Sequence, residues 1–151
     1  MFWAYTFAPW GLLWLLGNRQ KARESIPAGV LFALIAYLLD TLGTQLGFWI
    51  YPYQMVPLQS GNMIWNIVGA APEAMLIAQK DLENQKQTWW WILGLSLANA
   101  GAESFALATT PLMSYPRWSP LLSIPIYVLC FWVVVHFTRY LWRVKRPGPR
   151  H

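Results

Sequence analysis

The sequence predicts an all-α membrane protein, a polytopic bundle of five transmembrane helices. Three observations predict this fold class: 56% of the 151 residues are hydrophobic, only 11% are charged, and the apolar residues form five long runs. Ordinary soluble domains carry about 25% charged residues. The predicted spans are residues 2–17, 26–50, 62–79, 88–109 and 120–142, within a single transmembrane domain, 1–151, that ends in a basic cytoplasmic tail, 143–151.

The first run is the shortest of the five. At a rise of about 1.5 Å per residue it covers roughly 24 Å, less than the roughly 30 Å of a typical hydrocarbon core. Pro9 and Gly11 interrupt it. Residues 2–17 are therefore expected either to cross a thin region or to lie in the interface as an aromatic-rich segment. A cleaved signal peptide is not expected, because no basic residue precedes the run and no cleavage motif comes after it.

Prolines and glycines add local expectations for the other spans. Ser25 followed by Pro27 predicts the start of the second helix, with Ser25 as its N-cap. Gly43 and Gly47 are spaced as a close-packing pair on that helix. Pro72 in the third run and Pro125 in the fifth predict kinks that free backbone carbonyls.

The basic residues predict the orientation of the bundle. They follow the first, third and fifth runs, whereas the loops after the second and fourth runs carry only Arg117. Under the positive-inside bias this pattern predicts that the N-terminus lies outside and the C-terminus in the cytoplasm. The expected location is the bacterial inner membrane. Short juxtamembrane clusters of this kind normally meet anionic lipid, so membrane lipid is the expected partner and nucleic acid is not.

Three acidic residues lie inside predicted spans: Asp40, Glu73 and Glu103. Counted along the helices, Asp40 and Glu73 lie roughly 15 Å from the outer ends and Glu103 about 9 Å. Each belongs to a stripe of small and polar residues. Ionisable groups at membrane depth usually face a protein interior or a wet cavity, so we expect the three carboxyl groups to converge on one pocket. The alternative is that these stripes serve only helix packing.

The predicted ligand-binding set comprises these acids and their neighbours. Asn66 and Asn99 are expected to orient the carboxyl groups, and Tyr37 and Trp65 to line the interior together with Trp132. The other tryptophans near span ends are interpreted as an interfacial belt: Trp3, Trp49, Trp89, Trp90, Trp91, Trp118 and Trp142. The sequence contains no metal-binding or cofactor-binding motif, so neither a metal site nor a cofactor is predicted.

These features predict binding of a lipid-like or isoprenoid ligand, or the role of an accessory subunit in a homo-oligomer or a larger membrane complex. One alternative is an enzyme in which Glu73, with Asp40 and Glu103, protonates an alkene and aromatic faces stabilise the cation. Another is the passage of protons or ions along the acidic residues. The residues leave all three open.

Part of the chain resembles the lycopene cyclase domain of bacterial carotenoid synthesis. The resemblance covers residues 40–73 and is carried by Asp40, the Gly47-x-Trp49-x-Tyr51 element, and Pro72 with Glu73. It implies adjacent membrane helices whose acids protonate the end group of a polyene and stabilise the resulting carbocation.

The whole chain also resembles a family of small, uncharacterised multi-pass membrane proteins of spore-forming Firmicutes. The matching features are the chain length, Asp40, Pro72, Glu103, a loop from Tyr53 to Pro57 and the Trp118-Ser119 element. This resemblance implies a multi-pass membrane protein and no particular activity.

Overall fold

The computed structural model describes residues 2–52, 65–111 and 113–145. In this part of the chain the protein is all-α, as predicted, without a β-strand. The helices are α1 (Phe2–Leu16), α2 (Ala22–Gln45), α3 (Ala71–Glu83), α4 (Thr88–Thr109) and α5 (Pro120–Lys145). A 3-10 helix, Arg19–Lys21, precedes α2, and a π-helix, Trp65–Gly69, precedes α3.

Helix α2 begins earlier than predicted. The chain already turns at the 3-10 helix, where the Asn18 side chain accepts a hydrogen bond of 2.9 Å from the Gln20 N–H. Ser25 therefore lies inside α2, where its hydroxyl donates to the Ala22 carbonyl at 2.9 Å. The prediction that Ser25 caps the helix is wrong, because α2 is already formed from Ala22; Asn18 caps the preceding 3-10 helix, and Lys21, the N-cap of α2, makes no side-chain capping hydrogen bond.

Helix α2 also ends earlier than predicted, at Gln45 rather than near residue 50. Gly47 comes next with φ 70°, a left-handed conformation that suits glycine and turns the chain. Gly43 lies under the indole of Trp49, and a Cβ at Gly43 would overlap that ring. The expected glycine pair for helix packing is therefore wrong: one glycine makes room for an indole and the other makes a turn.

The third predicted span is shorter and more enclosed than expected. Residues 62–64 lie outside the described residues; the π-helix comes next, and then α3, which has 13 residues. Pro72 occupies the first turn of α3, where proline is well tolerated, and does not kink a longer helix. Residues 72–79 are all buried, and α3 contacts each of the other four α-helices. It is the central helix of the bundle.

Two helical segments of the described chain are long and apolar enough to cross a membrane: Arg19–Gln45 and Pro120–Val144. The prediction of five spans is thus supported for two. The apolar part of α1, Phe7–Leu16, is short, and α3 is shorter than a span. Helix α4 has 22 residues but includes the polar Ser96, Asn99 and Glu103. The orientation of the ends stays a prediction.

The core joins α2, α3, α4 and α5. Phe32 of α2 stacks on Phe131 of α5, with ring centroids 4.5 Å apart, and both side chains are buried. The opposite face of α2 presents an apolar stripe at a spacing of four residues, formed by Ile26, Val30, Leu34, Leu38 and Leu42. Each of these side chains is about half exposed or more, from 49% to 64%. The bundle is thus apolar both inside and on this outer face.

The two ends of the bundle differ in chemistry. At one end, charged side chains pair: Arg139 Nη2 lies 2.6 Å from Asp81 Oδ1, and Lys80 Nζ lies 3.0 Å from Glu83 Oε2. At the other end, Ile50 and Ser114 form an antiparallel bridge with two hydrogen bonds of 2.9 Å. This bridge joins the segment after α2 to the segment before α5, over one end of an internal cavity.

Candidate functional site

The three predicted acids line one cavity. Asp40 comes from α2, Glu73 from α3 and Glu103 from α4, and the cavity between them measures about 180 Å³. Its other walls come from α5 and from the two segments joined by the bridge. Its apolar lining consists of Phe32, Ala36, Leu39, Ala70, Ala102, Ala106, Met113, Ile126 and Cys130. The site is therefore a mainly apolar chamber with carboxyl groups in three of its walls.

Asp40 accepts hydrogen bonds from three side chains. Trp49 Nε1 and Tyr51 OH donate to Oδ1 at 2.8 Å and 2.7 Å, and Asn66 Nδ2 donates to Oδ2 at 2.8 Å. Asp40 and Asn66 are both buried. One carboxylate thus connects the end of α2, the chain that comes after it and the π-helix.

Glu73 accepts a hydrogen bond from one side-chain amide of the described residues. Asn99 Nδ2 of α4 donates to its Oε2 at 2.6 Å, and both residues are buried. This contact and the Asn66–Asp40 contact place both predicted asparagines on the carboxyl groups that they were expected to orient. Asn66 and Asn99 also line the cavity.

Glu103 is bound from α5. Tyr127 OH makes a short hydrogen bond to its Oε1, and the hydroxyl groups of Ser123 and Tyr115 lie close enough to interact with the carboxyl group. Its Oε2 is nevertheless buried without a hydrogen-bond partner among the described residues. Glu103 therefore retains unused acceptor capacity at the wall of the cavity.

The three acids follow one sequence rule. Each carboxyl group receives a hydrogen bond from the next helical element of the chain, at separations of 26 residues for Asp40–Asn66, 26 for Glu73–Asn99 and 24 for Glu103–Tyr127. Each contact joins two consecutive helical elements. The acids therefore both line the cavity and connect its walls in chain order.

Aromatic rings close the end of the cavity near the bridge. Trp49 packs edge-on against Trp118 at a centroid distance of 5.4 Å, and Phe48 stacks on Trp118 at 5.3 Å. Tyr115 lies 6.1 Å from Trp49. The prediction of an interfacial belt is wrong for Trp49 and Trp118, because folding of the short loops turns both indoles onto the cavity wall.

The tyrosine hydroxyl groups near this end are held neutral. Burial raises the pKa of Tyr51 well above its usual value, and the neighbouring Asp40 raises it further. Burial likewise raises the pKa of Tyr115, followed by the charge of Glu103 and a hydrogen bond to it. Both phenols therefore act as hydrogen-bond donors and not as bases at neutral pH.

Other predicted residues lie elsewhere. Tyr37 of α2 is half-buried and is not among the residues that line the cavity. The side chain of Trp65 lies outside the described part of the chain, as does the loop of residues 53–57 that contributes to the second resemblance. Trp132 is exposed and contacts the ring of His136 on the outside of α5, at a centroid distance of 4.0 Å. Its predicted place in the interior is wrong.

Sequence reasoning did not place Trp118, Ser123 and Tyr127, from the start of α5 and the loop before it, on the wall of the cavity. Ser123 and Tyr127 lie on one face of α5, four residues apart, and Trp118 Nε1 donates to Ser123 Oγ at 3.0 Å. The four-residue spacing was a usable signal, since it places two hydroxyl groups on the same helix face.

Within the described residues, no three His, Cys, Asp or Glu side chains are grouped to hold a metal ion.

Comparison with known proteins assigns no chemistry to this cavity. Neither a protein-family model, nor a curated protein, nor a solved structure matches the chain. The resemblances seen in the sequence, over residues 40–73 and over the whole chain, stay predictions.

Proposed function

We propose that this chain is an integral membrane protein that binds one end of a lipid-like or isoprenoid molecule in the cavity between α2, α3, α4 and α5. The observation that carries the proposal is the convergence of three acids, each from a largely apolar run of the sequence, on one apolar chamber. Carboxyl groups are costly at membrane depth, and three on one cavity are more than helix packing requires.

The outer surface supports a membrane location. Besides the apolar stripe of α2, helix α5 exposes large apolar side chains, among them Leu121, Leu129 and Val144. Soluble monomers rarely expose large contiguous apolar patches, whereas lipid solvates them readily. The paired charges at one end, around Asp81 and Glu83, are consistent with the predicted cytoplasmic side.

The size of the cavity limits what enters it. At about 180 Å³ it is close to the engineered cavities of about 150 Å³ that bind benzene. It can therefore enclose an end group about as large as a six-membered ring, and the remainder of a longer ligand would lie along the bundle. Hydrocarbon walls and few polar groups are typical of sites for small apolar molecules.

A cavity-filling substitution tests this function. The full chain is extracted in a mild detergent, and mass spectrometry compares the small molecules that copurify with the wild type, Ala102→Leu and Ala98→Leu. Ala102 lines the cavity, whereas Ala98, one turn earlier on the same helix, is exposed and is not among the lining residues, so it is a matched control. We expect a specific molecule with the wild type and with Ala98→Leu, and its loss with Ala102→Leu. Equal retention by all three proteins would overturn the proposal.

Acid catalysis on an isoprenoid is the second candidate. It is favoured by the placement of the Glu73 carboxyl group in the same chamber as the rings of Phe32 and Trp49, which could stabilise a cation. Cells that supply linear polyenes would then form a cyclised product with the wild type and none with Glu73→Gln. Absence of the product with the wild type would remove this candidate.

A further inference from the structure

We infer that the end group bound in the cavity is a protonated amine on a compact apolar body. The inference rests on the proposed function, because it names the ligand class of the same cavity. Three independent features carry it: the balance of hydrogen-bond donors and acceptors in the wall, the distribution of charge, and the aromatic rings at one end.

Most polar donors of the wall are already engaged, and the hydroxyl groups of Tyr115 and Ser123 lie near the carboxyl group of Glu103. Trp49, Tyr51 and Asn66 donate to Asp40, Asn99 donates to Glu73, Tyr127 donates to Glu103, and Trp118 donates to Ser123. The buried Oε2 of Glu103, by contrast, is an acceptor without a donor among the described residues. A ligand rich in donors therefore complements this wall better than a ligand that needs donors, because the buried Oε2 of Glu103 gains a partner only from a donor.

The charge of the wall has one sign. Three carboxyl groups line the cavity, and no Lys, Arg or His occurs among its described lining residues. Arg139, Lys80 and Lys21 pair with acids at the far, charged end of the bundle. An anionic end group would meet only acids in this wall, whereas a cation would pair with a carboxylate in a medium of low dielectric constant.

The aromatic rings suit the same ligand. Trp49, Trp118 and Tyr115 belong to the lining, and tryptophan faces attract ammonium groups most strongly among the aromatic side chains. An ammonium group offers several N–H donors and accepts none. The apolar part of the cavity wall, which includes Phe32 and Ile126, would contact the apolar body of the ligand.

Three probes with one ring and different end groups test the inference: benzylamine, benzyl alcohol and benzoate. The full chain is reconstituted in phosphatidylcholine nanodiscs, and isothermal titration calorimetry at neutral pH is corrected with empty nanodiscs. We expect benzylamine to bind at least tenfold more tightly than benzyl alcohol, and benzoate to give no saturable heat. Because this comparison uses the wild type, it does not depend on the folding of any variant.

Two isosteric variants locate the charge that is recognised. Glu103→Gln should weaken benzylamine at least fivefold and leave benzyl alcohol within twofold of the wild type. Glu83→Gln removes the same charge from an exposed carboxyl group at the other end and should leave both affinities unchanged. Equal weakening of benzylamine by the two variants would overturn the inference, since it would show a general effect of net charge.

The outcomes separate this inference from the proposed function. If benzyl alcohol or benzoate binds as tightly as benzylamine, and Ala102→Leu removes that binding, the cavity binds ligands without selecting a cation, and only the inference fails. If no probe binds and copurified molecules are also unchanged in Ala102→Leu, both fail. Selective binding of benzylamine that Ala102→Leu abolishes supports both.

Discussion

Replacing Asp40 with Ala should destabilise the whole end of the bundle near the bridge. The carboxylate accepts hydrogen bonds from Trp49, Tyr51 and Asn66 at 2.7–2.8 Å. Without it, three donors lose their acceptor, and a buried donor left unsatisfied costs about 1–3 kcal/mol. At the lower limit for each donor, Asp40→Ala should lower the free energy of unfolding by about 3 kcal/mol.

The isosteric change Asp40→Asn should cost much less. Its carbonyl oxygen can still accept from Trp49 and Tyr51, and the Asn66 amide can rotate to present its own oxygen to the new amide group. The remaining loss is the difference between hydrogen bonds to a charged and to a neutral acceptor, about 1 kcal/mol. Ser104→Ala removes a hydroxyl group that bonds only to the backbone at Ala100, and should change stability by less than about 0.5 kcal/mol.

Equilibrium unfolding in mixed detergent micelles, followed by tryptophan fluorescence, measures these differences. Hydrogen exchange at residues 48–51 adds a local readout, because the Ile50 N–H bonds to Ser114 in the bridge that Asp40 supports through Trp49 and Tyr51. The expected order of destabilisation is Asp40→Ala, then Asp40→Asn, then Ser104→Ala. If Asp40→Ala lowers the free energy of unfolding by no more than Asp40→Asn, or leaves hydrogen exchange at residues 48–51 unchanged, the proposed role of the carboxylate is refuted.

Three further changes have distinct expected outcomes. Gly43→Val should displace Trp49 from Asp40, because even a Cβ at this position would overlap the indole. The tryptophan emission should shift to the red, and the free energy of unfolding should fall by about 1–3 kcal/mol. Unchanged emission would contradict this prediction. Arg139→Ala should lower the free energy of unfolding in micelles by about 3 kcal/mol, because buried Asp81 loses its cation and keeps only the hydrogen bond from Thr88. Adding Asp81→Asn should recover more than half of this loss, and no recovery would contradict the ion-pair explanation. The fold raises the pKa of Tyr115, so burial of its neutral phenol contributes to the free energy of unfolding fully below the unfolded pKa near 10, and this contribution declines as the pH rises above 10. Tyr115→Phe should therefore flatten the decline in the free energy of unfolding between about pH 8 and 12. An equally steep decline in the variant would count against the burial of the phenol.

The acids of the cavity could be predicted because their cost is visible in the sequence. A carboxyl group inside an apolar run must face inward, and helical spacing then assigns Asp40, Glu73 and Glu103 to interior stripes. The same reasoning selected Asn66 and Asn99, which lie one turn or two from an acid along the same helical stripe. The structure places all five on the cavity lining.

The aromatic wall could not be predicted in the same way. A tryptophan near the end of a span has an apolar ring and a polar N–H, so it suits an interface and a cavity wall equally well. Only the turn at Gly47 directs the Trp49 indole back over Gly43 to reach Asp40. That turn depends on contacts between distant segments, which helical periodicity does not contain.

The length of the third helix was missed for a related reason. A helix enclosed by others needs no lipid-facing surface, so its apolar run resembles a span although α3 has only 13 residues. The buried residues Gln79 and Asp81 near its end find partners in Ser25, Thr88 and Arg139. Such partners become evident only when the neighbouring helices are placed.

The near-equal separations of 26, 26 and 24 residues between each acid and its partner have a consequence for biosynthesis. The ribosome synthesises the chain from its N-terminus, so each of the three carboxyl groups emerges before the side chain that donates a hydrogen bond to it. The number of residues between the two is nearly the same each time. Short contour distances keep the entropic cost of each closure low. The three contacts can thus form one after another, in the order in which the chain is synthesised.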